Sequence, residues 1–532
     1  MTIDVVIYFS FRYCVNTKGI SRAFGFGEIA MKPRICLCLT GRTHEENLRT
    51  VERFRSAVDL VELRADYLDP GERFFIREFP RKAGLPCILT IRRRADGGRF
   101  DDGEGVRLVL FAKALSYARS DSSANYAYVD LEDDFHIPVI EEACRTFGTR
   151  IIRSSHHLNG MPQNLDEVWN RITLEEDEIP RLAVQLSSSR ELLAFLKWAL
   201  SLPAKDKLVL ALGAYGVMSG ILAWRLGSLW TYASSNRNTP LYREQGFLDP
   251  FKLRSIYRFD SINDNTVLYT LVGQPSILAS LSPYLHNNAF KEMGKNALLI
   301  PTPVDEVKHA VRILEMIGGQ GAAVTVPFKE DILPLLSFHS TDVKRIGACN
   351  TLVRREGSWA GYNTDADGFE KSLVEFLDRQ DLTGCRATIV GAGGAAKSVA
   401  LALYRKKAQC LILNRTYSTA RDLARKYNFH YSHLDERAID LISDFSDLIV
   451  QATSVGMNST EDPLGFYEFT GKEAVFDLIY HPAKTRLLAR AEAAGCRITN
   501  GYRMLCHQAA GQYKLWMNEP PPDIYAQLPQ PE

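Results

Sequence analysis

Short apolar runs alternate with helix-patterned segments through the first half of this chain, and that alternation constrains its fold more than any other feature. The runs are Arg34–Leu39, Leu60–Leu63, Cys87–Ile91, Tyr126–Leu131, Arg150–Arg153, Arg181–Leu186, Lys207–Ala211 and Gly227–Tyr232. Segments such as Glu45–Val58 and Gly105–Arg119 lie between them and place apolar residues at helical period. Parallel strands need crossovers of this kind. Eight such units in roughly 220 residues predict a (β/α)₈ barrel, with an open α/β sheet as the alternative.

Residues 247–265, with Asp249-Pro250 and a short charged helix, read as a linker. A second alternating region starts at Val267–Val272 and continues with strands at Ala387–Val390, Cys410–Leu413, Asp447–Gln451 and Ala474–Ile479. Glu519-Pro520-Pro521-Pro522 reads as a tail. Residues 1–30 lack the charged start and cleavage site of a signal peptide, and the fold is expected to begin near Met31.

Charge narrows the function classes. With 64 Lys+Arg against 63 Asp+Glu, no general positive field exists to hold nucleic acid. No window carries 18 uninterrupted apolar residues, so no membrane partner is expected. Ten scattered cysteines without a CxxC pair suit reduced core thiols and a cytoplasmic location. His430-Tyr431-Ser432-His433 offers two imidazoles without a third ligand, so these read as surface helix or loop residues and no metal is expected.

Gly391-Ala392-Gly393-Gly394-Ala395-Ala396 follows the strand Ala387–Val390 and opens a helix, Ala395–Arg405. A tight turn, bare backbone and a helix N-terminus are what a pyrophosphate needs. The next strand ends Leu413-Asn414-Arg415-Thr416. An NAD site usually carries a carboxylate there for the ribose 2′-hydroxyl. Here Arg415 offers a planar cation, with Asn414 and Thr416 as neutral donors, which favours NADP.

These residues belong to a longer series. Gly273-Gln274-Pro275, Ser280-Leu281-Ser282-Pro283, His286-Asn287, Val324-Thr325-Val326-Pro327-Phe328-Lys329, Gly347-Ala348-Cys349-Asn350-Thr351 and Gly361-Tyr362-Asn363-Thr364-Asp365 resemble, in order, the motifs of shikimate dehydrogenase. Ala452-Thr453-Ser454-Val455-Gly456-Met457, Tyr480-His481-Pro482 and Met504-Leu505 with Gln508-Ala509 continue the likeness, which covers about 265–517. The resemblance implies Lys329 and Asp365 as the catalytic pair, and Lys329, directly after Pro327-Phe328, reads as lying at a helix start. It implies Ser280, Ser282 and Tyr480 at the substrate carboxylate, and Thr325, Asn350 and Gln508 at ring hydroxyls. Gly391, Ala392, Gly393, Gly394, Ala395, Asn414, Arg415, Thr416, Met457 and Gly501 are then the cofactor contacts. Ala323 and Gln451 depart from the family pattern, which leaves shikimate against quinate open.

Thr40-Gly41-Arg42, Glu62-Leu63-Arg64-Ala65-Asp66, Thr90-Ile91-Arg92, Asp130-Leu131-Glu132 and Ser154-Ser155-His156 resemble type I 3-dehydroquinate dehydratase. So do Gly213, Gly216, Ser219 and Thr231-Tyr232-Ala233. That family forms a Schiff base through a lysine while a histidine moves the proton. His156 matches the histidine, and Glu62, Arg64 and Arg92 match substrate contacts. The lysine position reads Ile179-Pro180-Arg181-Leu182-Ala183-Val184. A guanidinium stays charged and offers no free amine, so it cannot replace the lysine. Gly220 stands where the family has an arginine for the carboxylate, Asp96 replaces a glutamate, and no Pro-Gly-Gln loop appears in Thr239–Gly246.

The resemblance divides the chain into an extension 1–30, a barrel 31–250, a substrate lobe 265–366 completed by 501–520, and an NADP-binding lobe 367–500. The expected function is NADP-dependent reduction of 3-dehydroshikimate to shikimate, with a weak or inactive barrel. The alternatives are a fully bifunctional enzyme acting also on 3-dehydroquinate, a quinate-type dehydrogenase, or a metabolite-sensing regulator. Oligomeric state stays open.

Overall fold

The structure is a computed structural model that describes residues 33–115, 124–235 and 245–530. The expected extension 1–30 and most of the Thr239–Gly246 stretch lie outside the described residues.

Eight parallel strands form the first sheet: β1 (Arg34–Leu39), β2 (Leu60–Arg64), β3 (Cys87–Thr90), β4 (Tyr128–Glu132), β5 (Arg150–His157), β6 (Ile179–Gln185), β7 (Leu208–Leu212) and β8 (Trp230–Ser234). β1 pairs with both β2 and β8, and the ring is completed by a bridge between Lys207 and Ser228. Side chains alternate along a strand. Val61, Leu89, Val129, Ile151, Leu182 and Val209 therefore face the surrounding helices, in one apolar layer. Leu60, Ile88, Tyr128, Ile152, Ile179 and Trp230 have the other parity and fill the lumen. Tyr128 of β4 and Trp230 of β8, from non-adjacent strands, touch at 5.0 Å between ring centres. Two residues further along each strand the same parity delivers Glu62, Asp130, Ser154 and Arg181. A polar layer thus sits above an apolar plug, at the carboxyl ends of the strands.

The stretch 247–265, read as a linker, is packed against the barrel. Asp249 caps the helix Pro250–Ser255, and Arg254 reaches Asp59 at 3.0 Å and the Ala57 carbonyl at 2.9 Å. Leu253, Tyr257, Phe259 and Ile262 are buried, so their apolar surface packs this segment onto the barrel. Further contacts join the barrel to the C-terminal half. Arg225 donates to the carbonyls of Ile317 (2.7 Å) and Thr266 (2.8 Å), and Ser189 Oγ meets His309 Nδ1 at 2.8 Å.

The second sheet is mixed. It contains β9 (Val267–Gly273), β10 (Ala297–Pro303), β11 (Gly321–Val324), β12 (Phe338–His339), β13 (Thr351–Arg355) and β14 (Ser358–Tyr362), in the order β10-β9-β11-β13-β14-β12. The β13–β14 hairpin turns through Glu356 and Gly357, both at positive φ, as a tight two-residue turn requires. The third sheet is wholly parallel: β15 (Arg386–Val390), β16 (Gln409–Asn414), β17 (His430–His433), β18 (Leu448–Gln451), β19 (Ala474–Asp477) and β20 (Arg497–Thr499). Its order, β17-β16-β15-β18-β19-β20, reverses direction between β15 and β18, which opens a ligand crevice there. The histidines read as helix or loop residues therefore lie in an edge strand, where alternating Tyr431 packs inward.

The tail is also anchored. Glu519 pairs with Lys295 at 2.8 Å, and Tyr525 is buried with its hydroxyl 2.9 Å from His286 Nδ1. His286 Nε2 faces Gln512 Oε1 at 3.0 Å. Burial pushes the imidazole down to about 4 from 6.5, despite the opposing bond to Gln512. The unfolded chain thus takes up a proton between pH 6.5 and 4 that the native histidine refuses. This contribution to stability is present at pH 7 and is lost as pH falls through that window, by up to ~3 kcal/mol. His286→Gln should flatten this loss, read as the difference in urea midpoints between pH 7 and pH 4.5 for the two proteins.

Candidate active sites

Lys329 and Asp365 form an ion pair, Nζ to Oδ2 2.6 Å, with side chains 12% and 5% exposed. Lys329 lies in a turn after β11, not at a helix start, because Pro327 and Phe328 close the chain back on Thr325 (Phe328 N–H to Thr325 O, 3.0 Å). Asp365 opens the helix Asp365–Leu377, and its backbone N–H is held by Asn363 Oδ1 at 3.0 Å. Asn350 binds these parts together. Its Nδ2 is 2.7 Å from Asp365 Oδ1 and 3.0 Å from Gln508 Oε1, and its Oδ1 accepts from the Thr364 N–H at 2.9 Å. Gln508 lies on the helix Tyr502–Met517, which Gly368 lets approach closely: a Cβ there would sit 2.8 Å from the Gln508 nitrogen.

Ser280 and Ser282 adjoin each other, Oγ to Oγ 3.2 Å, at the start of the helix Ser282–Glu292. Burial raises the Tyr480 phenol pKa, and a hydrogen bond with Ser280 pulls it back, so these three side chains form one polar wall. Thr325 is half-buried, with its N–H on the Val272 carbonyl at 2.9 Å.

The glycine turn supplies the opposite wall. Gly391 has φ +110°, and a Cβ there would meet Thr453 at 2.8 Å. Ala392 is buried, and the helix starts one residue earlier than read, at Gly394, just before Ala395. A Cβ on Gly393 would meet no atom within 4 Å, whereas one on Gly394 would lie 3.6 Å from Lys329 Cδ. The turn is therefore an open cradle of bare backbone immediately beside the lysine, the shape a dinucleotide needs. Asn414 Nδ2 bonds the Thr416 carbonyl at 3.0 Å, while Arg415 and Thr416 are exposed at the strand end and, among the described residues, Arg415 pairs with no carboxylate. Met457 is 42% exposed. Gly501 is buried, and a Cβ would lie 1.9 Å from the Leu478 carbonyl oxygen, so chain packing already requires a glycine there.

Sequence reasoning gave no role to Gln512 and Lys397 and noted Gln451 only as a departure from the family pattern. Gln451 donates to the carbonyls of Thr453 (3.2 Å) and Val455 (3.1 Å) and fixes the loop facing Gly391. Gln512 donates to the Asn350 carbonyl at 3.1 Å, one helical turn beyond Gln508. Lys397 pairs with Glu330 at 2.6 Å and ties the nucleotide helix to the lysine turn. The four-residue spacing of Gln508 and Gln512 was the available signal for one of them.

In the barrel, Arg181 Nη1 lies 2.6 Å from Asp130 and 3.5 Å from Glu62, with its guanidinium carbon 4.4 Å from the Tyr232 ring centre. Phe247 stacks on Tyr232, 5.6 Å between ring centres. Arg92 also pairs with Asp130 (3.1 Å), Arg64 with Asp66 (2.8 Å), and Glu62 accepts from Thr90 (2.8 Å). Burial favours a neutral Asp130, yet Arg92 and Arg181 outweigh it and hold the carboxyl well below its usual range. Burial, Arg92 and Arg181 together push His156 far down, so the imidazole stays neutral, and neither ring nitrogen has a protein partner among the described residues. Asp96 bonds Arg93 at 2.7 Å. A Cβ on Gly220 would approach Thr231 Oγ1 at 3.1 Å, beside a cavity of about 20 Å³ that also touches Tyr232 and Phe247.

A nucleotide-binding sheet and a substrate lobe that meet at a lysine–aspartate pair define a two-lobed dehydrogenase, here joined to an eight-stranded barrel. Family models match as type I 3-dehydroquinase over 35–264, shikimate dehydrogenase substrate binding domain over 271–352, and shikimate/quinate 5-dehydrogenase over 375–459. The shikimate dehydrogenase (NADP(+)) of Pyrococcus abyssi is 37% identical over 249 residues, 47% of this chain and 91% of the relative. The chloroplastic bifunctional 3-dehydroquinate dehydratase/shikimate dehydrogenase of Arabidopsis thaliana is 27% identical over 501 residues, 90% of this chain and 81% of the relative. A solved shikimate dehydrogenase in complex with NADP+ aligns at 32% identity and TM-score 0.45, covering 50% of this chain and 94% of that one. The chain belongs to the shikimate dehydrogenase family, with a type I 3-dehydroquinase domain preceding the dehydrogenase.

Removing Arg181 leaves two buried carboxylates with less compensation. Arg181→Ala should destabilise the protein by about 3 kcal/mol or more, the cost typical of breaking a buried ion pair. Chemical denaturation should show this, with Arg181→Lys losing less because it retains the charge.

Proposed function

We propose that the C-terminal half reduces 3-dehydroshikimate to shikimate using NADPH, and that the barrel has lost dehydratase chemistry. The observation that carries the first statement is the 2.6 Å Lys329–Asp365 pair lying against the glycine cradle. When bound there, the nicotinamide supplies a hydride. Lys329 gives the proton to the carbonyl oxygen as the alkoxide forms, and Asp365 aims the amine and balances its charge. Ser280, Ser282 and Tyr480 hold the substrate carboxylate by neutral hydrogen bonds. Thr325, Asn350 and Gln508 receive the ring hydroxyls, with Asn350 also keeping Asp365 oriented. Gly391, Ala392, Gly393, Gly394 and Ala395 accommodate the pyrophosphate, Asn414, Arg415 and Thr416 the adenosine phosphate, and Met457 the nicotinamide side. Gly501 completes the floor of the crevice. With the division at 31–250, 265–366 with 501–520, and 367–500, most substrate contacts fall in one lobe and most cofactor contacts in the other, while Tyr480 and Gly501 reach across from the opposite lobe.

The barrel retains His156, Glu62, Arg64 and Arg92 but, among the described residues, offers no amine at the position of Arg181. Arg181 is bound to Asp130, Asp96 is turned to Arg93, and Gly220 contributes no cation. Among the described residues, no helix is long and apolar enough to cross a membrane. The nine described cysteines are buried and unpaired, and this state of the thiols supports a cytoplasmic setting.

Lys329→Ala should lower turnover with dehydroshikimate by about 10²-fold or more while NADPH binding stays near normal, the scale of a lost general acid. Full turnover in that variant would place the proton donor elsewhere. For the barrel, borohydride treatment in the presence of 3-dehydroquinate should trap no adduct, and dehydration should be negligible. Arg181→Lys should recover trapping in part, and Arg181→Lys with Gly220→Arg should recover more. A trapped adduct in the unaltered protein would refute the barrel reading, and mass spectrometry would identify the lysine responsible.

A further inference from the structure

We infer that His433 is a second contact for the ribose 2′-phosphate of NADP and a determinant of cofactor choice in this chain; the inference rests on the proposed use of NADP. β16 and β17 end together. Asn414 and His433 are partners in register, and the Leu434 N–H reaches the Asn414 carbonyl at 3.3 Å. The carboxyl ends of such strands are where a dinucleotide lies. His433 is therefore the final residue of the strand beside the Asn414-Arg415-Thr416 turn.

Its ring is held at that turn. Tyr417, which follows Thr416 and opens the helix Tyr417–Arg425, stacks on the imidazole at 4.7 Å and 21°. Tyr431 meets Tyr417 edge-on at 5.4 Å and braces it from the strand. Among the described residues, neither nitrogen of His433 has a hydrogen-bond partner.

The charge balance calls for such a group. A phosphate monoester carries between one and two negative charges near neutrality, and Arg415 brings one positive charge. The other cations close by are committed: Arg421 pairs with Asp422 at 3.1 Å, and Arg437 pairs with Asp435 at 2.5 Å in the loop after β17. Asp435 is the carboxylate nearest in sequence to His433, and its bonds to Arg437 occupy both of its oxygens. His433 interacts electrostatically with Asp435 but keeps both ring nitrogens free of hydrogen bonds among the described residues, and it lies in register with Asn414, next to Arg415. The 2′-hydroxyl of NAD, being neutral, gains less from it than a phosphate does.

The test is a binding titration of the full chain, followed by calorimetry, with NADP+ and with NAD+ separately. His433→Ala should weaken NADP+ about tenfold, the scale of one hydrogen bond to a charged group, and change NAD+ less than about twofold. His433→Glu places a carboxylate at the same point and should weaken NADP+ further, with NAD+ again held. Arg415→Ala provides the reference loss for the arginine side of the clamp. Unchanged NADP+ binding in both His433 variants, or equal losses for the two cofactors, would overturn the assignment. Unaltered protein that binds NAD+ as tightly as NADP+ would overturn the NADP reading itself, before any variant is made.

Discussion

One buried amide, Asn350, connects the parts on which the dehydrogenase site depends. Its nitrogen reaches Asp365 and Gln508, and its oxygen takes the Thr364 N–H. Its carbonyl is held by Gln512 and by the Val324 N–H. A 1% exposed amide left unpaired would carry a desolvation cost, so each contact constrains the others. The lysine turn, the start of the helix at Asp365 and the helix at 502–517 are therefore positioned as one unit, although they are far apart in sequence. For the proton transfer proposed for the Lys329–Asp365 pair, such preorganisation means that no group has to be reoriented as charge moves.

The barrel holds the same kind of buried polar layer around a guanidinium. Arg181 projects from β6 into the lumen at the parity that also delivers Glu62, Asp130 and Ser154. A primary amine there could be neutral and nucleophilic, whereas a guanidinium stays a permanent cation and seeks carboxylates. Asp130 meets that demand at 2.6 Å and Tyr232 covers the guanidinium face, with Phe247 beyond it. The centre of the lumen is thus an ionic cluster closed by an aromatic stack. His156 sits beside it as a neutral ring without an orienting partner among the described residues. The fold persists because the charges balance within the layer, and the apolar plug below it is unaffected.

Much of this was readable from the residues. The eight-unit alternation and the glycine turn between strand and helix appear where pattern placed them, and Lys329 meets Asp365 as the family resemblance implied. Short strands made of small or mixed residues, such as Gly321–Val324 and His430–His433, were not readable, because their pairing comes from neighbours rather than from their own apolar character. The 247–265 segment and the chain after Glu519 look polar and proline-rich, yet a few apolar residues in each, Leu253, Phe259 and Tyr525 among them, suffice to dock them.

The sequence by itself determined the chemistry available: an amine at 329, no amine at 181, a cation and no acid at the end of β16. These follow from residue identity, since no packing gives a guanidinium a free lone pair or removes the charge of Arg415. Tertiary structure alone decided which groups meet. It turned Asp96 to Arg93, bound Arg181 to Asp130, brought Gly394 against Lys329 and set His433 beside Asn414. Those outcomes depend on strand register and on competition among buried charges for partners, and both are properties of the assembled chain.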